Sequence, residues 1–182
     1  MSLSHYDDSA EAAWSTEATG RMNRMYRWQR YIYDATRRYY LLGRDQLIDG
    51  LHPPAGALVL EIGCGTGRNL IQAARQYPQA RFSGIDISTE MLTTAISAID
   101  RRGLKKAIRV AHGDATKFDS KALFRIAAFD RVMISYSLSM IPDWHRVVAQ
   151  ALRCLKPGGQ LHIVDFGNQE RLPRVARKLR EG

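Results

Sequence analysis

The chain has 182 residues, enough for one domain with a substantial core and too few for two of ordinary size. Its 27 lysines and arginines exceed 18 aspartates and glutamates by 9, which points to an anionic partner (nucleic acid, membrane or acidic substrate) or to a basic solvated surface. Two separate cysteines and five scattered histidines leave no disulfide framework or metal-ligand spacing, no apolar run has bilayer-spanning length, and the polar first residues are not a signal peptide, so no metal and a reducing cytoplasm are expected.

Residues 1–15 read as a flexible lead, with Met1-Ser2-Leu3 and the closing Glu181-Gly182 resembling expression-vector remnants. In residues 16–40, Arg21, Arg24, Arg27 and Arg30 recur every three positions beside Met22, Met25, Tyr26, Ile32 and Tyr33. Steps of three lag the helical period of about 3.6, so the arginines wind slowly around an amphipathic helix. With Trp28 and several tyrosines, that helix either lies on an anionic membrane or packs on the domain with a wet arginine face. Residues 16–52 are therefore expected to form an N-terminal helical cap with a substrate and membrane role, and residues 53–180 the core.

His52-Pro53-Pro54-Ala55-Gly56 is a loop feeding the apolar run Leu58-Val59-Leu60-Glu61-Ile62, the pattern of a strand buried on both faces. Gly63, Gly65 and Gly67 follow, then a helix over 68–77. Glycines there permit positive φ and let a ligand approach main-chain N–H groups. The pattern continues with a strand over 81–86, a helix over 89–101 capped by Ser88 with Glu90 in its first turn, and a strand over 107–111. A short helix over 120–124, a strand over 129–135 and a helix ending near 155 come next. Lys156-Pro157-Gly158-Gly159 then turns the chain into a strand over 160–166. Strands alternating with helices predict an α/β fold with a doubly wound, mostly parallel sheet and right-handed crossovers.

Two adenosine-bearing ligands compete for the glycine turn. A dinucleotide fingerprint places its third glycine three residues after the second. Here Gly67 comes one residue early and Arg68 stands in the required place. Glu61-Ile62-Gly63-Cys64-Gly65-Thr66-Gly67 instead resembles the first motif of class I S-adenosylmethionine-dependent methyltransferases, E/D-x-G-x-G-x-G. Asp86 lies at the end of the next strand, at the spacing where a carboxylate reaches the ribose hydroxyls in doubly wound folds. Gly113-Asp114-Ala115 resembles the acidic turn that the family sets beside the adenine, which nominates Asp114 to accept from the adenine amino group. Phe129-Asp130 and Leu155-Lys156-Pro157-Gly158-Gly159 extend the resemblance, which covers residues 57–166.

The resemblance implies a Rossmann-like methyltransferase sheet and S-adenosylmethionine as cofactor. Around it would stand Glu61, Gly63, Cys64, Gly65, Gly67, Asn69, Asp86, Ile87, Asp114, Ala115 and Ser135. Arg44 and Arg68 are candidates for the methionine carboxylate, since a guanidinium pairs with a carboxylate bidentately, and Arg44 is preferred. Five strands are legible where the family has two more, so the sequence is expected to be truncated, with its fifth strand an edge.

The acceptor would enter at the carboxyl ends of the strands, beside residues 135–140. That segment lacks the Asn-Pro-Pro-Tyr type of motif of many nucleic-acid amino-methylating enzymes, which argues against a nucleic-acid acceptor. Residues 22–44 resemble the start of bacterial betaine-lipid N-methyltransferases, which methylate the amino group of diacylglyceryl-homoserine. The resemblance implies an enzyme at the inner face of the membrane acting on an amino-lipid, with phosphatidylethanolamine as rival acceptor and RNA as a further alternative. Aromatic faces stabilise a quaternary ammonium by about 0.5–2 kcal/mol per contact. Tyr33, Tyr39, Tyr40 and Tyr136 are candidates for that contact or are ordinary core aromatics. Tyr33 and Tyr136 are taken as catalytic; Tyr33 is nominated for a hydroxyl near the acceptor nitrogen, with His112 as alternative.

Overall fold

A computed structural model describes residues 42–165. β1 (Leu58–Ile62) is the middle strand of a five-stranded parallel sheet of order β3-β2-β1-β4-β5. Its partners are β2 (Arg81–Asp86) and β4 (Phe129–Ser135), with β3 (Ile108–His112) and β5 (Leu155–Val164) outside them. A central parallel strand is covered on both faces, which is why Val59, Leu60, Glu61 and Ile62 are all buried and why the run reads as continuously apolar but for Glu61. Successive side chains alternate faces. Val59, Phe82, Ile108 and Met133 meet α1 (Leu42–Asp49), α2 (Arg68–Gln76) and α3 (Thr89–Asp100) through Ile48, Leu51, Leu70, Leu92, Ala95 and Ile99. Leu60, Ile62, Ile85, Phe129, Val132 and Ile134 meet Phe118, α4 (Ser120–Phe124) and α5 (Trp144–Arg153) on the other face. Each large side chain buried there contributes about 1.5–3 kcal/mol.

The doubly wound parallel sheet expected from the alternation is present. Two local features differ from the sequence reading. First, α1 was expected within the N-terminal cap, yet Leu47, Ile48 and Leu51 lie in the core, because their i, i+1, i+4 spacing turns one apolar stripe onto the sheet. Second, residues 156–159 are not a turn before the last strand but a bulge inside it. Leu155 pairs with Phe129 and Gln160 with Arg131, so five steps along β5 match two along β4, with Gly158 at φ 75°. Lys156 Nζ donates to Asp130 Oδ2 at 2.8 Å, and the same oxygen accepts from Leu58 N–H at 2.8 Å, fastening the bulge to β4 and β1. Burial pushes the Asp130 carboxyl up, but those two hydrogen bonds and the Lys156 charge outweigh it and hold it below the usual range. Among the described residues β5 lies at the edge of the sheet.

His162 on β5 pairs with Met133 and has its Nε2 buried without a hydrogen-bond partner. Burial, then the Arg131 charge and His52, push its pKa down. The unfolded chain takes up that proton first as pH falls, so the associated stability is present above the unfolded value near 6.5 and is lost progressively below it. Thermal melts from pH 7.5 to 5 should show the wild-type midpoint falling more than that of His162→Gln, by roughly 2 °C. Parallel profiles would mean that His162 is not the responsible group.

Candidate functional site

The order change between β1 and β4 opens a crevice at the carboxyl ends of the strands, where ligands bind in open α/β sheets. Gly63, Gly65 and Gly67 stand there at φ 73°, 51° and 72°, a region only glycine adopts freely. Their N–H groups are used within the protein, which corrects the expectation of a turn that presents them to a ligand. Gly63 and Cys64 both donate to the Ile85 carbonyl at 2.9 Å, Gly67 donates to the Cys64 carbonyl at 2.9 Å, and Gly65 donates to Asp86 Oδ2 at 2.7 Å. A pyrophosphate needs such donors. The turn leaves open space instead; nothing lies within 4 Å of where a Gly65 Cβ would be.

The sequence-nominated residues fall into three groups. Asp86 and Ile87 end β2 at the mouth. Asp86 Oδ1 accepts from Ser88 N–H at 2.9 Å while Oδ2 holds Gly65, so each oxygen keeps a lone-pair direction for a hydroxyl donor. Ile87 is 65 % exposed, an apolar platform beside that carboxylate. Asp114 follows β3. Its Oδ1 accepts from the Thr116 N–H and hydroxyl at 2.9 and 2.7 Å, bonds that hold the carboxyl below the usual range, and Oδ2 lies 3.7 Å from Lys117 Nζ. Ala115 packs towards the α4–α5 cluster, and Ser135 closes β4, buried opposite Val164. His112 ends β3, exposed and in register with Asp86.

A second group lies beneath the turn. Glu61 is fully buried and its Oε1 accepts from Asn69 Nδ2 at 2.7 Å, fastening the first turn of α2 to β1. Cys64 is buried against Gly84, and burial, with the Glu61 and Asp86 charges, pushes its thiol well above the ordinary range; its backbone is what it offers the site.

The third group is at α1. Arg44, its side chain 13 % exposed, donates Nε and Nη2 to Asp45 Oδ1 at 3.1 and 2.9 Å. The same oxygen accepts from Gln72 Nε2 at 3.1 Å, and Arg68 at the start of α2 adds its charge. Hydrogen bonds from Gln72 and Arg44 hold Asp45 below the usual carboxylate range. Arg44 and Arg68 thus both act on Asp45. Tyr136 is buried with φ 52°, and its oxygen accepts from Gly43 N–H at 3.1 Å. Tyr33, Tyr39 and Tyr40 lie outside the described residues, as does most of the arginine block.

Three residues that the sequence reading did not single out shape the site. A Cβ on Gly84 would stand 2.6 Å from Leu70 Cδ1 and 2.9 Å from Cys64 Sγ, a close approach that a lone glycine within a strand pattern signals. Ser137 and Gly43 meet the turn and Tyr136 only through tertiary contacts, for which the sequence carries no signal. Among the described residues, no group of three or more His, Cys, Asp or Glu is placed to hold a metal ion.

Acidic residues collect at the carboxyl ends of the strands, where Arg68 and Lys117 also stand, and a basic group lies at the amino ends. Arg81, Arg101, Arg102, Lys105, Lys106 and Arg109 are exposed at or near the amino ends of β2 and β3. Asp86, Glu90, Asp114, Asp143 and Asp165 stand at the carboxyl ends, around the turn.

The crevice thus brings the glycine turn together with Asp86 and the apolar Ile87 at its mouth. Residues 59–159 match the family model described as a methyltransferase domain, more than half of the chain. The chain is 32 % identical over 123 residues to a demethylmenaquinone methyltransferase of Lactobacillus johnsonii, covering 67 % of this chain and 49 % of that protein. It is 31 % identical over 121 residues to a phosphatidylethanolamine N-methyltransferase of Cereibacter sphaeroides, covering 66 % and 56 %. The chain thus spans about half the length of the curated relatives it matches. A SAM-dependent methyltransferase from Geobacter sulfurreducens, crystallised with S-adenosyl-L-homocysteine, superposes with a TM-score of 0.56 at 23 % identity over 66 % of this chain and 46 % of that one, and so shares the fold. Fold and family model agree: the chain belongs to the class I S-adenosylmethionine-dependent methyltransferases.

Proposed function

We propose that the protein transfers methyl groups from S-adenosylmethionine to the amino group of a polar lipid, with diacylglyceryl-homoserine as acceptor and phosphatidylethanolamine as the nearest rival. The observation that carries this reading is the apolar surface left exposed at the carboxyl ends of the strands. Ile87, Met140 and Trp144 are 65 %, 57 % and 46 % exposed there, where an acceptor with an apolar body would seat it. The carboxylates among them suit an amine that arrives as a cation and leaves bearing more methyl groups. The similarity to a phosphatidylethanolamine N-methyltransferase and the resemblance of residues 22–44 to betaine-lipid enzymes support the same class.

The donor brings an electrophilic sulfonium methyl. The protein's part is to hold it and the acceptor nitrogen close and in line. Asp86 would take the ribose hydroxyls, Asp114 the adenine amino group, Ile87 the base, and Arg44 with Arg68 the carboxylate. Residues 16–41 would form the cap, with Tyr33 near the acceptor nitrogen. No helix of the described residues is long and apolar enough to cross a membrane. Attraction to anionic headgroups, about 1 kcal/mol per basic residue at the surface, would come from the arginines of residues 21–38. Six exposed basic residues of the core, Arg81, Arg101, Arg102, Lys105, Lys106 and Arg109, are at the opposite end of the strands from the donor turn, and a nucleic acid held on that patch alone would not reach the methyl group.

Incubation with labelled donor and total bacterial lipid, followed by mass identification of the product, tests the reading. A labelled amino-lipid is expected. Label found in RNA, and in no lipid, would overturn it.

A further inference from the structure

Two consecutive residues at the carboxyl end of β4 each press on a glycine from a different part of the chain. Tyr136 has φ 52°, a conformation that a bulky residue keeps only where its surroundings impose it. Its N–H donates to the Val164 carbonyl at 2.8 Å, and its buried phenol oxygen accepts from Gly43 N–H at 3.1 Å. Gly43 is the second residue of α1, so that N–H has no carbonyl one turn earlier within the helix. A side chain at Gly43 would collide with Val164 Cγ2 and stand 3.3 Å from the phenol oxygen. Ser137, the next residue, donates from Oγ to the Ile62 carbonyl at 3.3 Å. A Cβ at Gly63 would lie 2.7 Å from both Ser137 Cβ and Oγ. The start of α1, the end of β4 and the donor turn therefore meet on one dipeptide, which neither glycine can leave room to slip past.

We propose that Tyr136 is a positioning residue of the methyl-transfer site, coupling occupancy of the donor turn at Gly63 to the first turn of α1 at Gly43. It acts through Gly43 and not on the reacting atoms. A donor seated on the turn fixes Gly63; Gly63 fixes Ser137; and Tyr136, strained between Val164 and Gly43, passes that order to the first turn of α1. This rests on the donor site in the glycine turn and is independent of the acceptor.

Amide hydrogen exchange of the full chain, with and without saturating S-adenosylhomocysteine, is the test. In the wild type, S-adenosylhomocysteine should slow exchange in the peptide spanning 42–49 by about tenfold. Tyr136→Phe keeps the ring and removes the oxygen. It should bind S-adenosylhomocysteine within about threefold of the wild-type affinity, since the phenol oxygen removed is the one that holds Gly43 on α1, yet lose most of that slowing. Tyr136→Phe with the slowing intact would overturn the coupling, as would a wild type that binds S-adenosylhomocysteine without any change in 42–49. A fall in affinity that matches the loss of slowing would equally overturn it, because Tyr136 would then be part of the donor site itself. A wild type that binds no S-adenosylhomocysteine would bring down the donor assignment as well, a distinct failure. A second variant, Ser137→Ala, keeps the Cβ against Gly63 and should retain the slowing; its loss there would place the coupling in the Ser137 hydroxyl and not in Tyr136.

Discussion

Asp86→Ala should weaken S-adenosylhomocysteine binding by roughly a hundredfold or more in calorimetric titration, close to abolishing methyl transfer at ordinary donor concentrations. Hydrogen bonds to a charged group contribute about 1.5–3 kcal/mol each, and two ribose hydroxyls on one carboxylate reach about 3 kcal/mol at the lower end. The substitution also releases two backbone donors, Gly65 N–H at 2.7 Å and Ser88 N–H at 2.9 Å. Part of the loss is therefore indirect, through a loosened turn. Asp86→Asn separates the parts, because its one carbonyl oxygen can still accept a single N–H while the negative charge is gone. Affinity in Asp86→Asn should fall between wild type and Asp86→Ala. Circular dichroism must show both variants folded. An Asp86→Ala protein that is folded and binds S-adenosylhomocysteine within a fewfold of wild type would sink the assignment of the donor to this turn.

Gly63→Ala is expected to cost about 3 kcal/mol, a drop of roughly 6–12 °C in melting temperature, and to remove donor binding with it. Two terms add. A non-glycine residue held at φ 73° is strained by about 1–3 kcal/mol, and a methyl group forced to 2.7 Å from Ser137 adds an overpacking cost of about 1–3 kcal/mol. Gly56 supplies the control. It sits at φ 76° with nothing within 4 Å of a would-be Cβ, so Gly56→Ala carries the first term alone. The difference between the two melting temperatures isolates the contact with Ser137. Ser137→Gly in the Gly63→Ala background should restore part of the lost stability by removing the atoms in the way. Equal melting temperatures for Gly63→Ala and Gly56→Ala would show that the Ser137 contact is not rigid.

The donor half of this protein is written in local patterns of its residues. A parallel strand buried on both faces is mostly apolar, a tight turn at positive φ favours glycine, and a helix start takes Ser88 as its cap; all three are local constraints written at fixed spacings. That is why β1, β2, β4, the glycine turn and the position of Asp86 at the end of β2 were legible to the residue, and β3 to within one. The bulge at Gly158 was not, because a proline-glycine-glycine run looks the same before a strand as within one; Lys156 meeting Asp130 across β4 decides it. Membership of α1 in the core was equally hidden, since an amphipathic stripe does not say which surface it covers. Only the tertiary structure showed that the turn spends its N–H groups on Ile85, Cys64 and Asp86, and that Tyr136 and Ser137 press on Gly43 and Gly63. The pairs Tyr136–Gly43 and Ser137–Gly63 lie 93 and 74 residues apart in the chain, from 136 − 43 and 137 − 63. Contacts at such separations are created by packing, and they leave no periodicity in the sequence from which to read them.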